Sequence, residues 1–267
     1  MASGVLQTAR QTLLDMRRGV KSAPAQGWHL AIRDIRIEYV QTKLGLFWAF
    51  LEPLVIAFVF IALRRNGVLE INGLDMPFAL FAVCGILIWQ SFFDSLMLAL
   101  SSLQRAGNLI GNYAVAPESL IASMIFRSHF MMIMRLPIIL GLATFYGYTD
   151  ILNIIVFILL MPMAVFAGLA LGFLAAPFTL ASADLKIAVG VFSRPLMYLS
   201  GAIFPLTGGL EIFLYYNPIA IIIENTRLYL IDGRFHDGSA FGFVCVGVVG
   251  IFLLASFAFH RTMRAFL

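Results

Sequence analysis

Arg33-Asp-Ile-Arg-Ile-Glu-Tyr-Val-Gln-Thr-Lys-Leu-Gly-Leu-Phe-Trp-Ala-Phe-Leu-Glu-Pro53 is a junction between two environments. Arg33, Arg36 and Lys43 are best solvated by water or anionic headgroups, whereas from Leu44 onward the chain favours hydrocarbon. Ile32, Ile35, Ile37, Tyr39 and Val40 alternate with the charges closely enough to make an amphipathic helix that lies on a membrane surface. Trp48 follows at the depth an indole prefers, near the interface. Glu52-Pro53 then places a carboxylate and a helix breaker inside the apolar run, where both are unusual. A basic surface helix turning directly into a span with a polar break near its start reads as a gate.

Working outward, only 12% of the 267 residues are charged and 61% are hydrophobic. Soluble domains carry about 25% charged residues, so this is an integral membrane chain. Cys84 and Cys245 fall in apolar runs and read as packing residues. The four histidines are scattered without metal-ligand spacing. No secretory leader is read ahead of the first apolar run. Residues 1–45 hold seven of the eighteen cations, a bias that reads as the positive-inside rule rather than nucleic-acid binding.

The predicted order is a polar segment over 1–27, an amphipathic interface helix over 28–43, and a six-helix transmembrane domain over 44–267. The first span, Gly45 to Leu63, covers about 28 Å at about 1.5 Å per residue, enough to cross. The second runs from Pro77 to Leu100 and the third from Leu120 to Tyr146, with a polar cytoplasmic return over 101–118 between them. The fourth lies within the uncharged run from Ile151 to Ala183, broken by Pro162 and ended near Pro177. A fifth begins near Ile187 and ends unevenly in Ser200-Gly-Ala-Ile-Phe-Pro-Leu-Thr-Gly-Gly209. Residues 200–230 carry too many polar groups for a lipid-exposed span and read as short re-entrant or surface helices packed on protein. The last span is Ser239 to Phe259, followed by a basic tail from His260 to Arg264. An even span count puts both termini on one side, and the cations choose the cytoplasm.

The chain has no Gly-Lys pair, hence no P-loop, and no grouping of nucleophile, base and acid. Charges inside the spans are the functional candidates. Asp94 and Arg127 lie at similar distances from the cytoplasmic ends of the second and third spans, so antiparallel packing brings them to one depth. They are either a structural pair or part of a path. Arg135 has no evident partner, and Arg194 either snorkels to the interface or faces an anionic cargo. Trp89 and Tyr198 are candidates to stack on a sugar ring along a glycan path; Trp48, Tyr215 and Tyr216 also suit an interfacial aromatic belt.

Three motifs carry a resemblance. Arg33-x-x-Arg36-x-x-Tyr39-x-x-x-x-Leu44-Gly45-x-x-Trp48-x-x-x-x-Pro53 comes first, then Asn108-Leu-Ile-x-x-Tyr113-x-Val-x-Pro117, then Asn217-Pro218 with Glu224 and Arg227. Together they resemble the ABC-2-type polysaccharide export permeases, in particular the capsule polysaccharide export inner-membrane subunits, over residues 28–264. The resemblance implies a homodimer in a bacterial inner membrane, with the export channel between two copies. It implies two copies of a separate ABC ATPase, which carry the ATP and Mg, and no cofactor on this chain. Lipid-linked anionic polysaccharide is the implied cargo; a periplasmic co-polymerase and an outer-membrane channel are the further partners.

Residue by residue, the implied cargo entrance is Arg33, Arg36, Lys43, Trp48 and Glu52. Trp89, Asp94, Arg127, Arg135, Arg194 and Tyr198 line the channel. Gln104, Arg105, Asn108, Tyr113, Pro117 and Glu118 form the coupling helix against the ATPase. Phe204, Pro205, Tyr215, Tyr216, Asn217, Glu224 and Arg227 belong to a re-entrant gate on the outer side. Export of O-antigen or teichoic acid is the neighbouring alternative. A stand-alone secondary transporter or channel predicts internal repeats, and the two halves differ in charge and loop pattern. An intramembrane enzyme lacks its catalytic cluster.

Overall fold

The computed structural model describes residues 23–38, 43, 45, 47–67, 74, 76–104 and 116–266. Every regular element among them is helical. In order they are α1 (23–38), α2 (Phe47–Arg65), α3 (Phe78–Leu100), α4 (Pro117–Phe145), α5 (Ile151–Leu160), α6 (Pro162–Ala181), α7 (Asp184–Leu199), a 3-10 turn (Gly208–Glu211), α8 (Ile212–Tyr216), α9 (Pro218–Asp232) and α10 (Gly238–Phe266). Among the described residues, four stretches are long and apolar enough to cross a membrane: Phe78–Gln104, Pro117–Phe145, Ile151–Ala181 and Gly238–Arg264.

α3 is the central element. Its residues from Leu80 to Trp89 are buried all round, as a helix without a polar face must be. The tightest contact on it is α6, through Gly168 and Gly172. A Cβ at Gly168 would stand 2.1 Å from the Phe92 carbonyl oxygen, and one at Gly172 2.6 Å from that of Leu96. Two small residues one turn apart let the backbones close up, which increases dispersion contact where no solvent drives association. α10 packs on the other side of α6 through rings, with Phe173 and Phe259 at 4.9 Å and Phe166 and Phe252 at 5.1 Å. α4 lies against α3, α6 and α10, and α2 against α3. α9 packs on α3, α5, α6 and α10. In α7 the only buried residue is Met197.

Several boundaries differ from the sequence expectation for identifiable reasons. Among the described residues the first helix covers 23–38, beginning ahead of the expected 28, and Lys43 and Gly45 stand in turns. Pro24 stands inside this helical stretch. Gly27 is retained inside it because α4 crosses there, with the Ala122 Cβ 2.6 Å from where a Gly27 Cβ would be. The fourth span breaks at Met161-Pro162, as expected, yet runs through Pro177 to Ala181. In an uncharged segment the backbone groups have no better partners than the helix itself. The last helix continues past Phe259 to Phe266, so His260 is a helical residue and not part of a tail.

Leucine at position 172 cannot be accommodated without moving α6 off α3. Gly172→Leu is expected to cost about 1–3 kcal/mol, read as a lowered thermal midpoint of the purified protein in detergent. Gly247→Leu is the control, because nothing stands within 4 Å of a Cβ at that position. Equal midpoints for the two variants would refute the close-packing account.

Candidate functional site

A stripe of polar residues on α3 faces a stripe of cations on α4. Ser91, Asp94, Ser95, Leu98 and Ser101 recur at helical spacing on one, and Arg127, Met131 and Arg135 on the other. Between them lies a cavity of about 480 Å³. Glu38 of α1 and Lys186 from the first turn of α7 complete its walls. Three cations and two carboxylates line it, leaving one positive charge in excess.

The cations do not pair as the sequence spacing suggested. Arg135, and not Arg127, forms the ion pair with Asp94, and its second guanidinium nitrogen donates to Ser91 Oγ at 3.2 Å. Arg127 instead pairs with Glu38 of α1. Helical side chains lean toward the N-terminus of their own helix. Arg135 therefore reaches back to the level of Asp94, while Arg127, about 12 Å nearer the start of α4, reaches back to α1. The Arg135 side chain is 5% exposed, whereas Asp94 at 53% opens onto the cavity. Arg135 Nε, Gln90 Oε1 and Ser128 Oγ are buried there without a hydrogen-bond partner. The wall thus holds polar capacity that its own contacts leave unused.

α1 is held onto α4 along its length. Ser119 donates to Gln26 Oε1 at 2.8 Å, and Trp28 meets Phe126 edge-on at 5.6 Å. Of the expected entrance residues, Arg33 pairs with its neighbour Asp34, while Arg36, Lys43 and Trp48 are exposed. Glu52 lies in α2, and its side chain is outside the described residues.

Other expected channel residues stand apart from the cavity. Trp89 is buried among core rings, stacked with Phe93 at 6.2 Å. Arg194 and Tyr198 are exposed on α7, with Tyr198 stacked on Phe204 at 6.1 Å. In the expected coupling segment, Arg105, Asn108 and Tyr113 lie outside the described residues. Gln104 donates to the Thr179 carbonyl at 2.9 Å, tying the end of α3 to α6. Pro117 opens α4. Glu118 is buried and accepts a hydrogen bond from His260 Nε2 of α10 at 2.7 Å.

The cluster around Arg227 is a separate assembly. Arg227 is buried with its guanidinium 3.4 Å from the Phe81 ring centroid, pairs with Glu224, and donates to the Gly201 carbonyl at 3.2 Å. Asn217 caps α9 through the Ile219 amide at 3.0 Å and donates to the Leu199 carbonyl at 3.3 Å. Together they clamp the end of α7 and the turn after it. Phe204 and Pro205 are half-buried beside it, and Tyr215 and Tyr216 are exposed.

Sequence reading missed three participants: Glu38, His260 and the Ser91/Ser95/Ser101 stripe. The serines had a legible signal, since their spacing matches that of Asp94. No His/Cys/Asp/Glu group among the described residues has the arrangement to hold a metal ion.

No protein-family model matches the chain. It is 21% identical over 243 residues to the polysialic acid transport protein KpsM of Escherichia coli, covering 87% of this chain and 91% of that protein. It is 22% identical over 213 residues to the O-antigen export system permease protein RfbA of Myxococcus xanthus, covering 78% and 81%. The chain therefore resembles polysaccharide export permeases along most of its length, in agreement with its three motifs.

The two halves of the Asp94–Arg135 pair differ in burial, so their loss should differ in cost. Asp94→Leu strands a guanidinium that water does not reach and is expected to cost about 3 kcal/mol. Arg135→Met leaves a carboxylate that stays hydrated, and about 1 kcal/mol is expected. Thermal unfolding of both variants checks the order, and the reverse order would contradict the observed burial.

Proposed function

We propose that this chain is the membrane-spanning permease subunit of an ATP-driven ABC exporter that moves lipid-linked capsular polysaccharide across the bacterial inner membrane. The observation that carries the proposal is its similarity, over 87% and 78% of its length, to two proteins named for polysialic acid transport and O-antigen export. The match to the O-antigen permease favours a second reading, in which the cargo is an O-antigen.

On this reading α2 and α7 join the four long apolar stretches to make six crossings, with both termini in the cytoplasm. Two copies of the chain enclose the channel. ATP and Mg are bound by two copies of a separate ATPase, because this sequence has no P-loop. A periplasmic co-polymerase and an outer-membrane channel continue the path. The chain itself makes and breaks no bond. It supplies a polar, net-positive wall to an anionic cargo, and basic groups at its mouth. α1 is the interface helix, α8 and α9 are the re-entrant elements, and the return over 101–118 presses on the ATPase.

The burial of Glu118 refines its role. It acts through His260, so motion of the return segment passes into α10 along this contact.

Affinity capture from gently solubilised membranes tests the reading. A P-loop ATPase at one-to-one stoichiometry with a periplasmic coiled-coil partner is expected; a stable complex without an ATPase would end it. An ATPase bearing a carbohydrate-binding domain would favour O-antigen. Arg36→Ala combined with Lys43→Ala is expected to lower surface glycan at least about tenfold while ATPase capture stays intact. Normal surface glycan would remove these residues from the entrance. Glu118→Ala and His260→Phe are expected to give one phenotype, ATP hydrolysis uncoupled from export, and unchanged coupling in either would break the proposed linkage.

A further inference from the structure

Of the two ion pairs in the polar cavity, one is built to hold and the other to open. Arg135–Asp94 joins two helices of the packed body. Arg127–Glu38 joins the body to α1, and the Glu38 side chain is 45% exposed. An ion pair open to solvent contributes little net stability and is readily exchanged for another anion. Lys186 lines the same cavity and has no ionic partner among the described residues.

We infer that Arg127 and Lys186 form a binding site for a phosphate group, and that the group, on arriving, displaces Glu38 and releases the end of α1. The chemistry favours phosphate. A guanidinium fork matches two oxygens of one tetrahedral group, and an ammonium takes a third as a point charge. Glu38 occupies the Arg127 half of the site as an internal carboxylate, so the resting pair keeps α1 docked and the cavity closed at that edge. This deepens the exporter reading of the same cavity and rests on it for its purpose. The phosphate belongs either to a lipid headgroup or to a free phosphate ion.

Hydrogen exchange at residues 23–38, measured on the full chain in lipid nanodiscs, tests the site. In a disc of digalactosyldiacylglycerol, a bilayer lipid without phosphate, α1 is expected to exchange slowly. Phosphatidylglycerol in the disc, or inorganic phosphate added to the phosphate-free disc, is expected to speed exchange about threefold, the scale set by an ion pair of this exposure. Acceleration by the lipid alone assigns the site to a headgroup, and acceleration by both assigns it to phosphate in general. Glu38→Gln is expected to exchange fast with no anion present. Lys186→Gln keeps the lock and loses the second cation, so it is expected to stay slow with either probe. Arg234→Gln, on an exposed turn, is expected to behave as the unmodified chain.

Exchange that ignores both anions overturns the proposal. So does a slow Glu38→Gln chain, or a Lys186→Gln chain that accelerates as the unmodified one does. Neither ATPase nor glycan is present in this measurement, so its failure is distinct from failure to capture an ATPase.

Discussion

The backbone-to-backbone approach of α6 and α3 at Gly168 and Gly172 is the constraint from which the rest follows. It commits the Phe92, Leu96 and Ala99 side of α3 to α6. At 100° per residue, Asp94, Leu98 and Ser101 then fall on the opposite side, toward α4. A polar stripe on a central helix has to be answered by its neighbour, and Arg135 answers it. The cavity is thus a consequence of helix packing, because side chains of this length and charge cannot close against one another as Gly and Ala do.

Each buried charge in the described part of the molecule meets a partner from the same limited set. Arg135 has Asp94 and Ser91; Arg227 has Glu224, a carbonyl and the face of Phe81; Glu118 has His260. Buried ion pairs add little stability over well-packed apolar residues, whereas losing one partner is costly. Their value here is geometric. Arg227 and Asn217 hold the C-terminal end of α7, while along its length α7 buries only Met197. Lys186, at the other end of α7, stands in the cavity wall, so the Arg227 clamp and the polar cavity are joined by one helix.

Much of the helical order was legible from local features. The uncharged runs, Pro162 at a helix start, and Asn217-Pro218 as a cap all act within a few residues, and the observed helices agree with them. The functional weight given to Asp94, Arg127 and Arg135 also follows from local chemistry, because a charge in an apolar run needs a reason wherever it folds. Pairing was not legible. Depth counting from the helix ends joined Asp94 to Arg127, whereas in the fold Arg135, leaning back toward the start of α4, reaches Asp94. Glu38 carries no local feature that separates it from the other charges of its stretch, and His260 stands first in the expected basic tail.

The amino-acid order alone determined that this is an all-helical membrane chain with a basic approach and a sparse set of intramembrane charges. Those properties are sums over short windows of hydropathy and charge, and no distant residue is needed to evaluate them. Tertiary structure decided which charge meets which: Arg127 with Glu38 across 89 positions of sequence, and His260 with Glu118 across 142. An ion pair depends on distances of a few ångströms between side chains on separate helices. Those distances are set by the contact of Gly168 and Gly172 with α3, and of Gly27 with α4, and by no property of the charged residues themselves.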